Sequence, residues 1–212
     1  MQFAPSNPCS RRWFLAAAAL LAAPRALAAP RRPVITVLGD SITAGRGLIA
    51  ADALPAQLEA ALRRRGIQAV VRAAGVSGDT SAGGLARVDF SVQPDTTLCI
   101  VALGGNDLLQ GLSPRGLRAN LQGILRRLKA RRIRVLLCGL RAPKDLNAGY
   151  AREYDAAFAQ AARAEGAPLY PDLLAGVALN RALNQSDGIH PNPQGVRIIA
   201  ARLAPYVVRA LG

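Results

Sequence analysis

The sequence predicts an α/β fold in which a mostly parallel sheet carries helices on both faces. Short apolar runs alternate with longer amphipathic stretches from Pro33 to the C-terminus. Polar clusters containing glycine follow directly on three of the apolar runs. Several amphipathic stretches also carry helix punctuation at their ends. Strand-then-helix alternation implies parallel strands covered on both sides. In such sheets, sites gather in loops at the carboxyl ends of the strands.

The first strand is expected at 34–38, an apolar, β-branched Val-Ile-Thr-Val-Leu. A helix follows at 54–65, with Gly66 after it as a stop. A second strand at 69–72 leads to a helix at 84–91. The third strand, 98–103, is followed by a helix at 114–131, where Ser113-Pro114 places a capping residue before proline at the first helical position. A fourth strand at 134–140 precedes a helix at 151–165, which Gly166 terminates. A weaker strand at 168–170 and a last helix at 193–210 complete the series. The last helix opens on Asn192-Pro193, again a cap before proline. No repeat, linker or low-complexity tract divides residues 29–212, which read as one domain.

Residues 1–28 read as an address. Ser10-Arg11-Arg12-Trp13-Phe14-Leu15 precedes an apolar run ending at Ala23, and Ala26-Leu27-Ala28 supplies a small-x-small cleavage pattern. The run is too short to span a bilayer. The arginine pair followed by x-Phe-Leu resembles a twin-arginine signal, so the expectation is export to the periplasm or beyond. Cleavage removes Arg11, Arg12 and Arg25 and no acid, so the mature chain stays strongly basic.

The formal charge of the whole chain is +14, which raises a nucleic-acid or membrane-surface reading. Only 4% of residues are aromatic, and the basic residues, nearly all arginine, are spread over several helices. A solvated basic surface is the expectation, with no nucleic-acid partner and no stable membrane insertion. Cys99 and Cys138 sit in strand-like runs and are expected to be buried, reduced core residues. One histidine and the two dispersed cysteines left after cleavage, which removes Cys9, make no zinc site, and no phosphate-binding Gly-x-x-x-x-Gly-Lys run exists. No cofactor and no metal is expected.

Four clusters carry the chemistry. Gly39-Asp40-Ser41, Ser77-Gly78-Asp79-Thr80 and Gly104-Gly105-Asn106-Asp107 each follow a strand, and Asp187-Gly188-Ile189-His190 precedes the last helix. Acyl transfer from serine needs a base for the hydroxyl proton, a carboxylate to orient that base, and donors for the oxyanion. His190 is the only histidine in the chain, so any histidine base must be this residue. Asp187 lies three residues earlier, and one turn places carboxylate and imidazole side by side. Taken singly, each residue has a bland reading as a cap or turn residue. Four in this order do not. The Gly-x-Ser-x-Gly elbow is absent around Ser41, which argues against an α/β-hydrolase.

These blocks resemble the SGNH (GDSL) hydrolase family, with Gly-Asp-Ser at 39–41, Gly78, Gly-x-Asn-Asp at 104–107 and Asp-x-x-His at 187–190. The resemblance implies a three-layer α/β/α flavodoxin-like fold with a five-stranded parallel sheet. It implies Ser41 as nucleophile, His190 as base and Asp187 as orienter, with the Ser41 and Gly78 N–H groups and the Asn106 side chain as oxyanion donors. Val76–Ser81, Leu103–Asp107 and Leu140–Pro143, followed by Gly149, Tyr154 and Phe158, resemble the bacterial periplasmic thioesterase/lysophospholipase/arylesterase group. Leu108, Leu109 and Leu112 are candidates for a flexible apolar wall along an acyl chain, or else for core packing. The expected protein is a monomeric hydrolase of small acyl esters and thioesters. A carbohydrate O-deacetylase on the same scaffold is the nearest rival, and a non-catalytic envelope binding module a more distant one.

Overall fold

A computed structural model describes residues 1–4, 32–143 and 145–212. The export signal expected at 1–28 falls almost wholly on residues 5–31, outside the described residues. Residues 32–212 form one body around a five-stranded sheet.

The strands are β1 (Val34–Gly39), β2 (Val70–Gly75), β3 (Leu98–Ala102), β4 (Arg134–Cys138) and β5 (Leu169–Tyr170). They lie in the order β2-β1-β3-β4-β5, and every neighbouring pair is parallel. All five residues of β3 are buried, because helices cover both faces of this central strand. The helices are α1 (Ser41–Ala44), α2 (Leu54–Arg63), α3 (Ser81–Ser91), α4 (Gly105–Leu109), α5 (Pro114–Ala130), α6 (Ala148–Glu165) and α7 (Pro193–Leu211), with a 3-10 turn at Ala50–Asp52. Helix α2 lies on one face with α7 packed beside it. Helices α3, α5 and α6 lie on the other, each packed on the next.

The amphipathic pattern explains the packing. Helix α5 buries Leu117, Leu121, Ile124, Leu125 and Leu128, while Arg115, Arg126, Arg127 and Lys129 face out. Helix α7 buries Val196, Ile199, Ala200, Leu203, Ala204 and Val207. Asn192 caps it, its Oδ1 accepting from the Gln194 and Gly195 N–H groups. Ser113 occupies the expected cap position of α5 but makes no side-chain capping bond.

Differences from the expected elements are local. Helix α3 starts at Ser81 rather than 84, and α6 at Ala148 rather than 151, because Thr80 and Asn147 are the capping residues. Helices α1 and α4, of four and five residues, were not foreseen. Both sheet edges are short of free ladder. Strand β5 has two residues. On β2 the Glu59 carboxylate accepts the outward Val71 N–H at 2.9 Å.

Cys99 and Cys138 are free, buried thiols on β3 and β4, as expected. Burial pushes the Cys99 thiol up to about 12 and raises Cys138 as well, so neither is a nucleophile at neutral pH.

Candidate active site

The chain order reverses across the sheet between β1 and its neighbours β2 and β3, which is where such sheets bind ligands. Register brings Gly39, Gly75 and Ala102 abreast at the carboxyl edge. Ser41 lies two residues beyond the first of these, Gly78 three beyond the second, and Asn106 four beyond the third. Sheet register thus gathers three of the four sequence blocks.

Ser41 opens α1. Asp40 caps this turn through Oδ1, which accepts from the Ile42 N–H at 3.0 Å. The turn folds tightly against the sheet edge, and glycine makes this possible. A Cβ on Gly75 would stand 2.4 Å from the Ala44 nitrogen and 2.7 Å from the Asp40 carbonyl oxygen. Burial pushes the Asp40 carboxyl up to about 6, against the opposing effects of the Ile42 N–H and nearby His190.

The fourth block arrives from the far end of the chain. Asn184 and Pro191 form an antiparallel bridge, and the Gln185 N–H donates to the His190 carbonyl at 2.8 Å. The Gln185 side-chain amide donates to the Arg46 carbonyl at 2.8 Å and the Pro191 carbonyl at 3.1 Å, tying this loop to the segment after Ser41. Within the loop, Asp187 Oδ1 accepts the Ile189 and His190 N–H groups at 2.9 and 3.0 Å. Its Oδ2 lies 2.6 Å from His190 Nδ1. The His190 main-chain N–H, then its ring, then the Ile189 N–H hold the Asp187 carboxyl well below the usual carboxylate range. His190 Nε2 lies 2.9 Å from Ser41 Oγ. Serine, imidazole and carboxylate therefore form one continuous line.

The oxyanion candidates are free to act. The Ser41 and Gly78 N–H groups have no acceptor among the described residues. Gly78 has φ +86°, a left-handed conformation that favours glycine. The Asn106 amide gives one hydrogen to the Asp79 carbonyl at 2.8 Å, which leaves the other available. Asp107, buried beside it, accepts from the Ser81 N–H at 2.7 Å and the Ser81 hydroxyl at 2.5 Å, clamping the second and third blocks together.

Of the three leucines, Leu108 is half-buried against the core, while Leu109 and Leu112 are exposed. Leu108 and Leu109 lie in α4, and Leu112 lies in the loop between α4 and α5. The Tyr150 hydroxyl donates to the Leu112 carbonyl at 2.9 Å, pinning that loop to α6. Tyr154 and Phe158 support the third block from beneath. The buried Tyr154 hydroxyl donates to the Gly104 carbonyl at 3.0 Å. Gly104 has φ +118°, and a Cβ there would meet Phe158 Cζ at 2.9 Å.

Ser41 and His190 border a narrow crevice, lined also by Ile42, Arg46, Leu48 and Pro191, that has no room for a water molecule. A larger hollow, about 360 Å³ beside α2, is lined mainly by alanines and brings no such polar set together. Among the described residues no three His, Cys, Asp or Glu side chains are placed to hold a metal ion.

Residues 37–198 match the GDSL-like Lipase/Acylhydrolase family. The chain belongs to this family. As a GDSL hydrolase it is 36% identical over 158 residues to the Esterase TesA of Pseudomonas aeruginosa, covering 74% of this chain and 79% of the relative. It is 35% identical over 171 residues to the Thioesterase 1/protease 1/lysophospholipase L1 of Escherichia coli strain K12, covering 80% and 81%. Its backbone is similar to that of AlinE4, an SGNH-hydrolase family esterase, with a TM-score of 0.71 and 46% identity over 86% of this chain and 98% of that one. The all-parallel five-stranded sheet is thus that of the SGNH hydrolases, as the sequence blocks implied.

Sequence reasoning missed the supporting layer of this GDSL hydrolase: Gln185, Arg87 and the Asp107–Ser81 clamp. Asp107 had a local signal, being adjacent to Asn106. Gln185 and Arg87 had none, since the Arg46 carbonyl lies 139 residues from Gln185 and the Gly39 carbonyl that Arg87 binds lies 48 residues from it.

Proposed function

We propose that this chain is an exported, monomeric enzyme that hydrolyses carboxylic esters and thioesters through an acyl-enzyme on Ser41. The observation that carries the reading is the unbroken hydrogen-bonded line from Ser41 through His190 to Asp187. Relatives named as esterase and as thioesterase and lysophospholipase support the substrate class over the carbohydrate deacetylase.

In this reading Ser41 Oγ attacks the carbonyl carbon while its proton passes to His190 Nε2. Asp187 holds the ring with Nδ1–H toward itself and faces the imidazolium that forms. Negative charge on the former carbonyl oxygen meets the Ser41 and Gly78 N–H groups and the free hydrogen of Asn106. His190 returns the proton to the departing alkoxide or thiolate, leaving the acyl group on Ser41. A water then repeats the sequence and releases the acid. Leu109 and Leu112, exposed three and six residues after Asn106, are the proposed apolar wall for the acyl chain.

The reading takes residues 1–28 as an export signal, and Arg11 and Arg12 as a twin-arginine pair. Replacing both with lysine is expected to strand precursor in the cytoplasm. No helix among the described residues is long and apolar enough to cross a membrane.

The deciding experiment is labelling by a fluorophosphonate together with turnover of p-nitrophenyl esters from acetyl to palmitoyl. Wild type is expected to label and to turn over chains beyond acetyl, and Ser41→Ala to do neither while remaining folded. Labelling retained in Ser41→Ala would sink the assignment of the nucleophile. Activity confined to acetyl would favour the deacetylase.

A further inference from the structure

We infer that Arg87 is a positioning residue that sets the spacing of the three oxyanion donors. The inference rests on the acyl-enzyme reading above and goes beyond it. Arg87 lies on α3, away from Ser41 in the chain, with its side chain mostly buried. All three guanidinium nitrogens are engaged. Nε donates to Asp79 Oδ2 at 2.6 Å. Nη1 donates to the Ala74 carbonyl at 2.9 Å and the Ser91 hydroxyl at 3.1 Å. Nη2 donates to the Gly39 carbonyl at 2.8 Å.

These acceptors belong to the segments that carry the donors. Gly39 ends β1, two residues before Ser41. Ala74 lies opposite Leu38 near the end of β2, four residues before Gly78. Asp79 follows Gly78 directly, and its main-chain carbonyl is the acceptor that holds Asn106. One planar cation therefore joins the Ser41 turn, the Gly78 turn and, through a single peptide unit, the Asn106 amide. The seat is built for it. A Cβ on Gly83 would stand 2.1 Å from Asp79 Oδ1, so glycine at that point of α3 lets the carboxylate lie over the helix.

Lysine cannot replace this bracket. An ammonium is a point charge without the fixed fork that lets one guanidinium serve acceptors on separate strands. An error of about 1 Å in the placement of reacting groups can cost about 10²-fold in rate. The chemistry at His190 is untouched, because no bond of Arg87 reaches the Asp187 loop.

The test is Arg87→Lys, with Asp79→Asn as a second variant should the first not fold. Each is measured for kcat, KM and thermal stability, and Arg87→Lys also in combination with Asn106→Ala. The expected result for Arg87→Lys is a kcat lower by about 10- to 100-fold. KM and the pH midpoint of the activity profile are expected to stay in place. Asp79→Asn is expected to lower kcat in the same way, by less. In the Asn106→Ala background the loss from Arg87→Lys is expected to shrink, because residues acting through one donor set do not add. A purely structural role predicts lower melting temperature, near-normal kcat in the folded fraction and losses that multiply independently. Either that pattern, or a shifted pH midpoint, would overturn the inference. Failure of the acyl-enzyme reading is distinguishable, since it shows as labelling or turnover surviving in Ser41→Ala.

Discussion

Asp187 holds His190 twice, through its ring and through its main chain. One carboxylate oxygen lies 2.6 Å from Nδ1, and the other accepts the His190 N–H at 3.0 Å. The same residue thus sets both the path of the loop and the direction of the imidazole.

Asp187→Asn is accordingly expected to lower kcat by about 10³- to 10⁴-fold, because an amide can donate as well as accept and no longer dictates the tautomer. The Asp187 carboxyl is depressed from its ordinary 3.8, so its contribution to stability is present above that value and is lost as pH falls below it. Thermal melts between pH 2 and 5 check this. Wild type is expected to lose stability faster than Asp187→Asn as pH falls, and parallel curves would contradict it.

Asp40 has the opposite dependence. Its carboxyl is raised from 3.8 to about 6 by burial, so its stabilising contribution is complete below the ordinary value and is lost as pH rises through about 6. The shift corresponds to roughly 3 kcal/mol at most. Asp40→Asn keeps the capping oxygen and removes the ionisation. Urea unfolding at pH 4.5 and 7.5 is expected to show the wild type losing more stability than the variant across that interval.

For Asn106, the two hydrogens of one amide divide two effects. Asn106→Ala removes the free hydrogen and is expected to lower kcat by roughly 10²–10³, with KM changed far less. It also breaks the bond to the Asp79 carbonyl, which is expected to cost about 1 kcal/mol of stability. Asn106→Asp is expected to be at least as inactive, since it puts negative charge where negative charge develops. A kcat within about threefold of wild type, measured on folded Asn106→Ala, would remove the residue from the mechanism.

Gly104→Ala combines a left-handed φ with a Cβ forced against Phe158 and Leu117. Backbone strain alone is worth about 1–3 kcal/mol. Since Asn106 is two residues away, kcat is expected to fall along with the melting temperature. Partial recovery on adding Phe158→Leu is expected, since that change relieves the clash with the ring but not the strained φ; no recovery would contradict the ring's part in the loss.

The order of strands and helices was legible because each run is long enough to display its period. Strand β3 is apolar throughout, and α5 spaces its buried leucines at helical intervals. Helices α1 and α4 were not legible, since four or five residues fill barely one turn and their formation depends on the sheet edge behind them. The four blocks of the candidate site could be read because each is contiguous in sequence. Arg87 could not, because Asp79, Ala74 and Gly39 lie 8, 13 and 48 residues away and only the folded sheet makes them its neighbours.

The Glu59 carboxylate on the outer N–H of Val71 has a meaning beyond this one chain. A parallel sheet leaves a row of unpaired amides on each outer strand, and such rows invite strands of other molecules to add on. Here one margin carries a negative charge over its ladder and a bidentate Arg72–Asp95 pair alongside. The opposite margin is only two residues long. An incoming strand would have to displace Glu59 on one side and would find almost nothing to pair with on the other. Both edges of the sheet are therefore poor templates for a further strand.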